Sequence, residues 1–409
     1  MEKTATVDLK MNASDELARK AAEEKAQEFS LVIGGPFYRA LERMHLIGPG
    51  SSVRLRISVM VLLTWVPLVG LSLAQGAAFG NKIQIPLLSD FSVWGRFLVA
   101  LPLLIIAEVV IDPWIKRVVA TFDSSGIIGN DDLPTYHAAL EKIGRLRDSG
   151  TAELLFLTLA ALPAFLLIDN EWISNDISSW HGSTSGGLSP AGWWFASISG
   201  PVFRFLLLRW LWRYALWSAL LYKIAKLNLK LMPTHPDRLG GLGFVLFAQR
   251  HFGILFAALG AVIAGQYADS IAYFGTSIKD TRAPMVAFVL ISLLFVLGPL
   301  TLLSPKLADT KRNGLAQYGQ LARRLTASFD SKWLNETDAK QEAMLGSADP
   351  SSLADYVSSF NVIREMQIIP ISKEFVIQVA AEAAGPLALV WLFATPLEEI
   401  VRKLLKMIF

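Results

Sequence analysis

The chain reads as an all-α, polytopic integral membrane helix bundle, with six to seven transmembrane helices and short cytosolic helical segments. Three observations predict this. Hydrophobic residues fill 53% of the 409 positions and charged residues only 18%. Mean hydropathy is +0.43. Several apolar runs approach the ~20 residues that cross a bilayer as a helix.

Residues 1–50 read as a cytosolic lead-in. Its 12–29 stretch has helix-forming composition, and its 37–45 piece is a short amphipathic helix at the membrane surface, carrying Arg39 and Arg43. No apolar core of a cleavable leader occurs in the first thirty residues, so the first span is expected to act as the insertion signal. Residues 51–305 form a six-span bundle. Its spans lie at about 57–78, 94–115, 152–168, 201–223, 252–274 and 284–303, the first kinked at Pro67. The serine- and glycine-rich loop between spans three and four, with Gly182 to Gly186, reads as flexible linker. Residues 306–373 are a cytosolic helical segment with a stripe of Leu315, Tyr318, Leu321, Leu325 and Phe329. Residues 374–409 hold a seventh apolar run, 375–395, that crosses or re-enters at Gly385-Pro386, then an amphipathic tail.

Basic residues cluster after spans two, four and six and before span one, which places those ends and the N-terminus in the cytoplasm, as in a bacterial inner membrane. Crossing by the seventh run would carry Arg402, Lys403 and Lys406 outside, against that rule. Nucleic acid is not an expected partner, because the basic residues are accounted for by topology. With no cysteine, thiol chemistry and disulfides are excluded, and neither a metal site nor a cofactor is expected. No internal repeat of useful period is evident.

The fourth span organises the chain because it carries arginines at a depth where each costs roughly 2.5–3.5 kcal/mol on insertion scales. Arg209 and Arg213 lie about 40° apart on a helix and share a face. Helical rise puts them about 20 and 15 Å from the basic edge, Glu108 about 12 Å and Glu382 about 10 Å, so an arginine can meet either glutamate. Two readings stand: buried ion pairs that brace the bundle, or a pathway or binding site for a small anion. Arg204 is near enough to the outer edge to snorkel and is expected to be structural, and the tryptophans of this span to face lipid and interface.

After the span, His235, Asp237 and Arg238 precede Gly240, Gly241 and Gly243. Imidazole and carboxylate two residues apart suit acid/base or headgroup-binding chemistry, with His251 a candidate neighbour. The alternative is a tight turn in which Asp237 caps the next helix and Arg238 meets lipid headgroups. Span five carries Gly253, Ala257, Ala261 and Gly265 at four-residue spacing, a face for close helix packing within the chain or between copies of a homo-oligomer. Asp269 continues it as a capping or water-facing group, and Ala381 with Gly385 is a weaker instance. Three functions follow. The leading one is a transport or channel protein with a charge-paired site lined by spans two, four and seven. The others are a membrane-embedded enzyme acting on a phospholipid headgroup at the cytosolic face, and a non-catalytic scaffold or sensor.

Overall fold

The computed structural model describes residues 28–48, 52–80, 82–166, 178–182, 187–334 and 347–394. The body of the expected 12–29 helix, most of the Gly182 to Gly186 linker and the C-terminal tail lie outside these. The described residues form an all-α membrane bundle. A short helix, α1 (Gly35–Arg43), precedes the first span, α2 (Val53–Thr64) and α3 (Val66–Ala74). The second span runs α4 (Phe91–Trp94), a π turn (Gly95–Ala100) and α5 (Leu101–Ser124). Then come α6 (Leu133–Arg147) and α7 (Gly150–Leu166). The fourth span repeats the build of the second: α8 (Pro190–Trp194), a π turn (Phe195–Ser199) and α9 (Gly200–Lys226). Helices α10 (Gly243–Arg250) and α11 (Gly253–Tyr273) make the fifth. Helix α12 (Arg282–Leu297) continues through a 3-10 turn (Gly298–Leu303) into α13 (Ser304–Trp333). Helices α14 (Ala348–Glu365) and α15 (Lys373–Ala394) complete the fold.

Among the described residues six helices are long and apolar enough to cross a membrane, and α7 is a shorter apolar helix. Outward-facing Leu62, Leu154, Leu294 and Ile377 are all more than half exposed, as a lipid-facing surface requires. The run at 373–394 is one unbroken helix through Gly385 and Pro386.

Spans two and four open alike. Each starts at a polar N-cap, Asp90 or Ser189, passes a tryptophan, Trp94 or Trp193, swells into a π turn, and re-enters α-helix at Pro102 or Pro201. Cap, tryptophan and proline keep one ungapped spacing, Asp90, Trp94 and Pro102 matching Ser189, Trp193 and Pro201.

Prolines shape the other spans, and the fourth and fifth spans answer them. A proline inside a helix leaves the carbonyls three and four residues back without their usual donors, and in lipid these need replacements. Pro67 splits the first span at Trp65. The freed carbonyl of Leu63 accepts the Trp194 indole N–H at 3.2 Å, and that of Thr64 accepts the Ser199 hydroxyl at 2.7 Å. At Pro299 the carbonyl of Phe295 accepts the Tyr214 hydroxyl, and that of Val296 accepts Gln249 Nε2 at 2.5 Å. At Pro163 the carbonyl of Ala160 accepts Arg204 Nε at 2.7 Å. Arg204 therefore bonds a neighbouring helix rather than snorkelling. The tryptophans are corrected likewise: Trp210 and Trp217 are buried and donate to Leu104 O and Gln249 Oε1, both bonds between spans.

Helix α1 is docked on the bundle by one face: Leu41 is buried, and the Phe37 ring packs edge-on against Phe205, while Arg39 and Arg43 stay exposed. Helices α13 and α14 fold together, with Tyr318 of the expected stripe stacked on Tyr356, while Leu321 stays exposed. Beyond Asp90 and Ser189, residues 178–182 are packed rather than loose. Trp180 is fully buried and donates to Asp90 Oδ2 at 2.9 Å.

Candidate functional site

Glu108 lies at the centre of the charge cluster. Its Oε1 accepts Arg213 Nη1 at 2.8 Å, its Oε2 accepts Arg56 Nη1 at 2.8 Å, and Arg209 Nη1 lies 3.9 Å away. Arg209 Nε also faces Glu153 Oε1 at 3.6 Å. Arg209 is 6%, Arg213 4% and Glu108 9% exposed. Each guanidinium is further covered by rings: Arg209 by Phe37 at 4.6 Å and Arg213 by Trp210 at 4.9 Å. The cluster thus joins spans one, two and four to α7. Its residues were visible in the sequence as costly charges, but Arg56 and Glu153 read there only as flanking residues, because pairing between distant spans leaves no local pattern.

Glu382 does not join the cluster, contrary to one of the two pairings the depths allowed. It lies over Gly253, where a Cβ would collide with its carboxylate, and its Oε1 accepts Gln378 Nε2 at 2.7 Å. Four-residue steps drift about 40° each on a helix, so Gly253 and Gly265 face about 120° apart. The small-residue stripe is accordingly divided. Gly253 receives α15, while Ala261 and Gly265 receive the π turn and α4, with a Cβ on Gly95 or Gly265 excluded by backbone. Ala257 is half-buried between them. Asp269 caps α4 from across the bundle, accepting the N–H groups of Phe91 and Ser92 at 2.8 Å each. Ala381 and Gly385 are exposed, and the packed face of α15 is Val379, Ala383, Leu387 and Val390.

His235 and Asp237 sit in a groove of about 740 Å³ at the basic end of the bundle, between the end of α5, the 227–242 loop, α10 and the start of α15. Its walls include Ile127, Leu239, Phe244, Phe247 and Phe375; Lys230 and Arg250 are its cations, and Glu374 joins Asp237 as its carboxylates. Asp237 accepts the backbone N–H groups of Leu239 at 2.8 Å, Gly241 at 3.1 Å and Gly243 at 2.8 Å, with His235 Nδ1 2.8 Å from Oδ1. Burial raises its affinity for a proton, but those donors outweigh burial and hold the carboxyl below its usual range. Asp237 therefore ties the loop and the first N–H of α10 together. The glycines are needed: Gly240 and Gly241 have φ +65° and +97°.

Arg238 turns away, at φ +57°, and pairs with Glu365 of α14 at 3.0 Å, while its carbonyl accepts Gln367 N–H at 2.8 Å. It clasps the α13–α14 hairpin rather than meeting headgroups. His251 does not meet His235; it stacks on Trp114 at 5.0 Å. Lys230 and Arg250 were missed as site residues. Neither makes an ion pair among the described residues, and Arg250 Nε is buried without a hydrogen-bond acceptor there. The one signal for Arg250 was its place inside the apolar run from Phe244 to Phe256. Among the described residues no group of three or more His, Asp or Glu is placed to hold a metal ion.

No known protein family matches the chain, and no characterised protein or solved structure is detectably similar to it.

Proposed function

We propose that this membrane protein binds the phosphate-bearing headgroup of a lipid in the groove at its basic end, which the positive-inside rule turns toward the cytoplasm. The observation that carries this reading is how the groove's charges are engaged. Asp237 is tied up by backbone N–H groups, whereas Lys230 and Arg250 have no carboxylate within ion-pair distance among the described residues, Glu382 acting on Arg250 only from farther off and Glu374 lining the rim. Aromatic walls at Phe244, Phe247 and Phe375 suit the first methylenes of the chains, and guanidinium with ammonium suits a phosphate. The test is photo-crosslinking in nanodiscs with a phospholipid that carries a photoactivatable group beside its phosphate. Labelled peptides are expected from 230–250 and 372–378, and Lys230→Glu with Arg250→Glu is expected to remove most of the label. Equal labelling of wild type and the double variant would overturn the reading.

A second reading, transport of a small anion through the bundle, draws support from the cluster. Three guanidinium groups there face two carboxylates, and Arg213 Nη2 has no hydrogen-bond acceptor among the described residues. Burial weighs against it, since a pathway needs the pairs to open. Proteoliposomes that pass halide, nitrate or phosphate no faster than empty vesicles would remove it.

A further inference from the structure

Residues 29–32 have no helix or strand to hold them, yet Phe29, Ser30, Leu31 and Val32 are all less than a tenth exposed. Side chains of the bundle do the holding. Asp112 Oδ1 accepts the Ser30 hydroxyl at 2.6 Å and the N–H groups of Leu31 and Val32 at 3.1 and 3.3 Å. Arg147 Nη1 donates to the Ser30 carbonyl at 2.5 Å. The chain then turns at Gly34 and Gly35, with φ +131° and +85°, where a Cβ would strike the side chains of Asp148 and Arg147 or of Glu153. The turn aims the Phe37 N–H at Glu153 Oε2, 2.7 Å away, and lays the ring over Arg209.

Behind Phe37 lies a second cavity of about 670 Å³, walled by Met60, Leu63, Leu157, Val202 and Leu206, with Glu153 its one charged lining residue. Helix α1 forms its wall at the basic end. We propose that residues 28–46 are a releasable strap. Docked, the strap closes the basic end of this cavity, whose flank stays open at Leu154 and Leu157, and covers the Arg209–Glu153 pair. Released, it admits water and small charged solutes to them from the basic end. Its grips are separate bonds to side chains rather than a backbone ladder, so losing one or two shifts the balance. The freed helix also has somewhere to go: Arg39 and Arg43 lie on its exposed face, suited to anionic headgroups.

The chain has no cysteine, so a single Leu206→Cys reports on the cavity without background. The reporter is reconstituted in nanodiscs and its reaction with a charged methanethiosulfonate timed in three backgrounds: intact, Gly35→Val and Ser30→Ala. Both strap variants are expected to react at least about tenfold faster, equal to about 1.4 kcal/mol of docking energy. An Arg39→Ala control is expected to match the intact strap. Equal rates in all backgrounds, slow or fast, would overturn the proposal. If Gly35→Val does not fold, Ser30→Ala, which alters one hydroxyl, decides it.

Discussion

Gln249 holds the loosened carbonyl of Val296 with its Nε2 at 2.5 Å while its Oε1 accepts the Trp217 indole at 2.7 Å. One amide therefore ties spans four, five and six at the Pro299 kink. Gln249→Leu leaves a donor and an acceptor buried and unmatched, at about 1–3 kcal/mol each, and is expected to lower the thermal midpoint of the purified protein. Pro299→Ala relaxes the kink and lets the Leu300 N–H reach the Val296 carbonyl as in a regular helix, so in the Gln249→Leu background it is expected to recover part of the loss. A double-mutant cycle on unfolding midpoints checks this; strict additivity would contradict the assignment.

Removing Glu108 strands the Arg56 and Arg213 guanidinium groups and leaves Arg209 with Glu153 alone. Glu108→Ala is expected to destabilise the protein by about 3–5 kcal/mol, the range for breaking a buried pair from one side. Adding Arg213→Met is expected to lose less than the two single changes together. Thermal aggregation in detergent measures both. A Glu108→Ala protein as stable as wild type would show that the cluster does not brace the bundle.

Asp237 has a folded-state affinity for protons below the usual one, so its contribution is present above the ordinary carboxyl range and fades as pH falls through the depressed value. At neutral pH Asp237→Ala is expected to speed amide exchange at Leu239, Gly241 and Gly243 by tenfold or more, since a net hydrogen bond to a charge is worth about 1.5–3 kcal/mol. Hydrogen exchange with mass spectrometry reads it out. The same variant is expected to weaken lipid labelling of the groove.

At the opposite end, burial pushes the His181 imidazole down to about 4, with Asp90 opposing and Arg96 assisting. It is stacked on Trp180 at 3.7 Å. An undocked loop takes up a proton near 6.5 that the docked one refuses, so docking weakens as pH falls from about 6.5 toward about 4. Exchange at 178–182, corrected for intrinsic rates, is expected to rise over that window in wild type. In His181→Phe it is expected to stay flat.

The spans and the costly charges were legible in the sequence because apolar length and buried arginine are local signals. Which charges meet was not, since Glu108 and Glu382 lie at similar depths and only packing separates them. The partners of Arg238 and His251 were hidden for the same reason: each meets a residue far away in the chain, Glu365 and Trp114. The groove cations had no motif around them.

The proline kinks bear on how the chain is made. Carbonyls of Leu63, Thr64 and Ala160 belong to spans synthesised before Trp194, Ser199 and Arg204 exist. Until those partners emerge, the first and third spans hold bare acceptors that hydrocarbon cannot satisfy. Insertion therefore passes through a vulnerable stage that ends only with the arrival of residues 190–204, and a chain truncated before them is expected to be a substrate for membrane proteases.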